Sequence, residues 1–176
     1  MKKLGQKARV AISIKWAVYF VTLFLLYIFE ITPGFMQIFG IKPILIIPFV
    51  LAVVVFDGEF YGAIFGAISG LFLDVAMGRL FGFFAFFLLI ICCLVGLLII
   101  YLVKQNLVNT VIITALVLTV LLLLDFYFNF AMWGYENSHI VLIRSMLPTF
   151  IYTIIFSPLF YLFVRRIYKD TKKHLE

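Results

Sequence analysis

The sequence predicts an all-α integral membrane protein with six transmembrane helices, and three observations carry that prediction. Apolar residues make up 66% of the 176-residue chain and charged residues 12%, at a mean hydropathy of +1.22, whereas a soluble domain is about half apolar and a quarter charged. The apolar residues form runs close to the roughly 20 that carry a helix across a bilayer, without the short alternation of a transmembrane β-strand. Basic residues bracket the set: Lys2, Lys3, Lys7, Arg9 and Lys15 come first, and Arg165, Arg166, Lys169, Lys172 and Lys173 come last. Flanking positions of this kind are topology signals that also attract anionic lipid headgroups. The net charge of +6 therefore points to membrane lipids as partners and not to nucleic acid.

The first span is expected over residues 12–29, ended by Thr32-Pro33-Gly34. It is read as a retained helix, because its basic start lacks a small-residue cleavage site and further spans follow. The linker to Gly40 carries Phe35, Met36, Ile38 and Phe39, which suit the interface. The second span, 43–56, is short and is expected to draw on the linker for length. Pro43 suits its first turn, and Pro48 within it is expected to introduce a kink. Asp57-Gly58-Glu59 forms a tight turn into a third span over 60–77, closed by Gly78-Arg79. The fourth is expected over 81–103 and the fifth over 108–131. Trp133 and Tyr135 in the following loop suit an interfacial belt. The sixth covers 140–164, with bends expected at Pro148 and Pro158. All six belong to one polytopic domain, 1–176, without a separate soluble unit or a clear internal repeat.

Six crossings put both ends on one side. The positive-inside rule makes that side cytoplasmic, because inversion would export ten basic residues. The acidic second turn is discordant, but Asp and Glu weigh little in orientation.

Glycines recur at 58, 62, 66, 70, 78 and 82, a four-residue period interrupted only by Asp74. Gly62, Gly66, Gly70 and Asp74 then form one stripe on the third span, widened by Ala63 and Ala67. Helices in lipid associate largely by close van der Waals packing, so such a stripe is expected to pack against a neighbour in the chain or against a partner. Charges within spans are functional candidates, and three stand out: Asp74, Asp125 and Arg144. Counting crossings places all three near the outer face, where Arg144 is expected to pair with Asp125, Asp74 or both.

Catalysis is not expected. An aspartyl dyad needs two carboxyls sharing a proton with no strong cation beside them, and Arg144 argues against that. Ala67-Ile68-Ser69-Gly70 lacks the first glycine of the rhomboid serine motif, and neither His139 nor His174 is placed to serve Ser69. Mid-helix Ser69 is expected to bond back to a main-chain carbonyl. Adjacent Cys92 and Cys93 fit neither a zinc site nor a disulfide framework. No metal-ligand cluster or phosphate loop is present, so no cofactor is expected.

The pattern Gly62…Gly66…Gly70-Leu71…Asp74…Gly78…Gly82 resembles the core of the MreD family, the rod shape-determining membrane proteins of bacteria. Length and span layout agree across the chain, and about 20 residues carry the specific signal. The resemblance implies a non-enzymatic member of the cell-elongation machinery in the cytoplasmic membrane. Its implied partners are MreC, the actin-like MreB, and RodA with its transpeptidase partner. Gly62, Gly66, Gly70, Asp74 and Gly82 would then be packing and partner-contact residues. A second resemblance is to the S components of energy-coupling-factor vitamin transporters, whose bundle MreD is thought to share. Arg144, Glu136, Asn137 and Asp74 would suit a ligand there. The alanines spaced by four that dock such a component are absent from the first span, which offers Ala11, Lys15 and Ala17.

Overall fold

A computed structural model describes residues 2–34, 37, 41–78, 80–128, 132 and 145–173. Among the described residues six helices run in order: α1 Lys2–Ile31, α2 Ile46–Asp57, α3 Glu59–Met77, α4 Phe83–Tyr101, α5 Leu107–Phe126 and α6 Leu147–Lys173. Five are long and apolar enough to cross a membrane, and α2 is the short one. Their outward faces carry large apolar side chains, such as Ile64 and Val75 on α3 and Leu116 on α5. Contiguous apolar surface of this extent is unfavourable in water and is what lipid requires.

The centre of the bundle is α2, which touches all five other helices. It is apolar all round, and every residue from 46 to 55 is buried, as expected of a helix inside a larger assembly. Its 12 residues measure only about 18 Å. The preceding residues 42–45 are irregular, with Leu45 already in the right-handed helical region, and they lengthen the segment toward the ~30 Å hydrocarbon core. Helix α2 therefore starts three residues later than expected. Pro48 falls in its first turn, where a missing N–H costs nothing, and is not a mid-span kink. Irregular backbone at membrane depth persists only where protein covers and satisfies it. Here the Ile44 N–H donates to Thr153 Oγ1 of α6 at 3.0 Å, and Lys42 Nζ donates to the Glu30 and Thr32 carbonyls at the end of α1.

Gly58 alone separates α2 from α3, so the expected hairpin is present. Helix α6 runs past the expected end at residue 164 to Lys173. Pro148 lies in its first turn and Pro158 in its interior. The expected linker aromatics, Arg79, Trp133, Tyr135 and the start of the sixth span at 140 lie outside the described residues. Residues 129–131, the expected end of the fifth span, do so too.

Four contacts gather one end of the bundle. Lys15 of α1 pairs with Asp57, Phe56 stacks near Tyr168 of α6, Gly96 of α4 meets Glu59, and the Tyr161 hydroxyl donates to the Gln105 carbonyl at 3.4 Å. The basic flanks of α1 and α6 and the α4–α5 loop thus share this end.

Candidate functional site

Among the described helices the α3–α4 pair forms the most extensive interface, and Gly66 and Gly70 of the glycine stripe explain why. Gly62, Gly66 and Gly70 are buried on α3. A methyl group added at Gly62 would lie 2.8 Å from Val54 Cγ2 of α2, and one at Gly66 would lie 2.6 Å from Cys92 Sγ of α4. At Gly70 it would lie 2.6 Å from the Phe84 carbonyl oxygen, against the Ala85 backbone. The stripe is covered by the chain itself, so partner contact would require α4 to move away from Gly66 and Gly70 and α2 from Gly62. On the α4 side the facing residues are Phe84, Leu88, Cys92 and Gly96, all buried and spaced by four. Gly96 escaped the sequence reading. A methyl group there would lie 2.8 Å from Glu59 Cβ, and its period of four with Cys92 was the available signal.

Gly78 and Gly82 continue the period for a different reason. Nothing lies within 4 Å of a methyl group at either, but their φ angles are +60° and +95°, a region costly for residues with a Cβ. Gly78 ends α3 and Gly82 precedes α4. Between them the chain reverses, and Asp74 closes the reversal. Its Oδ1 accepts the Phe84 N–H at 2.7 Å, and its Oδ2 accepts those of Gly82 at 2.9 Å and Ala85 at 3.4 Å. These N–H groups at the start of α4 have no partner within the helix. A carboxylate there satisfies them and faces the positive end of the helix dipole. Asp74, 1% exposed, is thus an N-cap supplied by the neighbouring helix. It is spent on structure, which removes it from the ligand contacts expected of an S component.

Asp125 is buried on α5, 5% exposed. Helices α3 and α5 both lead away from the basic end, which places Asp74 and Asp125 toward the same opposite end. Phe83 and Phe128, 5.5 Å apart between ring centres, join the start of α4 to the end of α5 there. Arg144, the third member of the expected cluster, lies outside the described residues, as do Glu136, Asn137, His139 and His174. Ser69 donates to the Phe65 carbonyl at 2.7 Å, the back-bond expected of it. Cys92 and Cys93 are free thiols, with Cys92 filling the space that Gly66 leaves.

A buried ion pair was not foreseen. Lys15 and Asp57 have side chains only 11% and 5% exposed, and Lys15 Nζ lies 5.2 Å from the Trp16 ring centre. The signal was a lysine inside the first span and an acidic turn at the same depth. Their pairing offsets the Asp57 charge, one of the two that made that turn discordant.

Two substitutions test these contacts. Asp74→Ala leaves the buried Phe84 N–H and the part-buried Gly82 and Ala85 N–H groups without their acceptor, and a buried one left open costs about 1–3 kcal/mol. It is expected to lower the melting temperature in detergent clearly, with Asp74→Asn, which keeps one acceptor oxygen, between it and the parent. An unchanged melting temperature for Asp74→Ala would contradict the cap. Gly66→Ala is expected to cost about 1–3 kcal/mol by overpacking against Cys92, and Cys92→Gly should recover part of that loss in the double variant. Strictly additive effects would show that the two sites do not press on each other.

The fold and the α3–α4 clasp together define a polytopic helical membrane protein organised around one capped, glycine-lined helix pair. The family model described as rod shape-determining protein MreD matches residues 11–171, nearly the whole chain. The protein belongs to the MreD family, and with it comes a rod-shape-determining role in the membrane. Comparisons with curated proteins and with solved structures give no match.

Proposed function

We propose that this chain is a non-catalytic component of the bacterial cell-elongation complex, held in the cytoplasmic membrane with both ends cytoplasmic. It organises a bitopic MreC-like protein and, through it, MreB and the peptidoglycan synthases RodA and its transpeptidase partner. The family match over residues 11–171 carries this reading. The orientation rests on the gathering of the basic flanks of α1 and α6 at one end of the bundle. In this reading the glycines and Asp74 serve partners indirectly, by fixing the α3–α4 pair whose outer surface meets them. Asp125 and Arg144 form the charged cluster toward the wall-facing side.

The test is affinity purification of the tagged full chain from native membranes, with cell width measured on depletion. Recovery of the MreC-like protein and rounded or widened cells are expected. Failure of both would overturn the proposal. A vitamin retained through purification and lost in Arg144→Ala would instead establish the S-component reading.

A further inference from the structure

A cavity of about 440 Å³ opens at the basic end of the bundle, between α1, the α2–α3 turn and α6. Lys15, Trp16, Asp57, Tyr61, Tyr168 and Lys172 line it, with apolar surface from Ile12 and Phe56. Its one carboxylate is spent within the chain. Lys15 holds Asp57 Oδ1, and Oδ2 is buried beside the equally buried Tyr19 hydroxyl. The donors are not spent. Lys15 carries three N–H donors and turns to a single oxygen of Asp57. Trp16, Tyr61 and Tyr168 each carry one N–H or O–H donor, and among the described residues no acceptor holds any of them. A concave site with donors in excess and its own acceptor consumed suits an anion.

We infer that this cavity holds the phosphate of an anionic phospholipid headgroup, the ligand that basic pockets between membrane helices suit. The phosphate accepts from the Lys15 and Lys172 ammonium groups and from the Trp16, Tyr61 and Tyr168 donors around them. Three observations select this ligand. The cavity lies where the apolar part of α1 gives way to its basic flank, and Trp and Tyr side chains wall it, both marks of headgroup depth. The Lys15 ammonium already occupies the aromatic seat, 5.2 Å from the Trp16 ring centre and 5.8 Å from that of Tyr168. A headgroup ammonium would therefore meet a like charge and find no open carboxylate, which disfavours a zwitterionic lipid. Ile12 and Phe56 suit the glycerol and first methylenes of a lipid and offer nothing to free phosphate.

The site lies apart from the α3–α4 clasp, and its test needs neither the partner reading nor the orientation of the chain. The experiment uses the full chain, delipidated in an uncharged detergent, with melting temperature and native mass spectrometry as readouts. The probes are short-chain phosphatidylglycerol, short-chain phosphatidylcholine, glycerol 3-phosphate and inorganic phosphate. Phosphatidylglycerol is expected to raise the melting temperature and to be retained about tenfold more tightly than phosphatidylcholine. Lys172→Glu should lower that retention about tenfold, and Tyr61→Phe, which keeps the ring and removes one donor, should lower it several-fold. Both positions are exposed, so both variants should melt like the parent without lipid. Lys173→Glu makes the same change of charge one residue along, outside the cavity lining, and should retain the lipid like the parent. Equal losses in Lys172→Glu and Lys173→Glu would reduce the effect to diffuse attraction by the basic end. Equal retention of the two lipids would remove anion selection, and a melting shift reproduced by glycerol 3-phosphate or phosphate would make the ligand a soluble anion. Each of these results overturns the proposal, as does indifference to every probe or unchanged retention in both Lys172→Glu and Tyr61→Phe.

Discussion

Gly70→Leu is expected to unfold the α3–α4 pair and leave little chain folded in detergent. The reason lies in what faces the glycine. A methyl group at this position already meets backbone, the Phe84 carbonyl and the Ala85 main chain, and backbone cannot swing aside as a side-chain end can. Overpacking a core costs about 1–3 kcal/mol when neighbours can adjust. Here the only relief is to separate the two helices, which forfeits the close packing that holds helices together in lipid. The separation also pulls Asp74 away from the start of α4. A loss of about 3 kcal/mol or more is expected, at the upper end of that range, read as a large fall in melting temperature or in monodisperse yield. Two controls sharpen the result. Val75→Leu, on the exposed face of α3, should be neutral. Gly78→Ala, with open space but a φ of +60°, should cost only about 1–2 kcal/mol. If Gly70→Leu melted like Val75→Leu, the packing account would be wrong.

Lys15→Leu is the second large effect. It leaves the Asp57 carboxylate buried without its cation, a situation that costs about 3–5 kcal/mol when one partner of a buried pair is removed. The reverse change, Asp57→Leu, should cost less, because the longer lysine stem can carry its ammonium toward the interface while a short aspartate cannot follow. Lys15 also keeps its aromatic neighbours in that variant. The double variant Lys15→Leu/Asp57→Leu should recover most of the loss, since an apolar pair of similar volume often replaces a buried ion pair without penalty. The measurement is a double-mutant cycle by denaturation in mixed micelles. Equal small effects from both single variants, with an additive double, would show that the pair is exposed in the membrane and structurally idle.

Asp57 and Asp74 illustrate how one residue type takes opposite environments in this chain. The first sits at the basic end and is neutralised by a lysine of the preceding helix, α1. The second sits toward the other end and is neutralised by backbone N–H groups at a helix start. Counting crossings placed Asp74 toward the end of its span and offered Arg144 as a partner, but it pointed neither to the backbone N–H groups that Asp74 accepts from nor to the lysine that pairs with Asp57.

The sequence by itself determined the class, the family and the order and approximate bounds of the spans. The class and the spans rest on composition and on runs of apolar residues, which act along the chain and need no knowledge of what packs where, while the family rests on resemblance through the pattern from Gly62 to Gly82. It also marked the third span as special, because six glycines in register are visible without a structure. Only the tertiary structure decided what each glycine does. Gly66 and Gly70 are small because α4 lies against them, while Gly78 and Gly82 are there because the backbone turns through positive φ. A common period concealed two physical causes. Tertiary structure also decided that the shortest span is the core of the bundle. A run apolar on every side reads the same whether lipid or protein surrounds it, and only the positions of the other five helices fix which it is. The partner of Asp74 was illegible for a related reason. A cap formed across helices depends on the relative placement of two backbones, and backbone N–H groups leave no trace in residue identity.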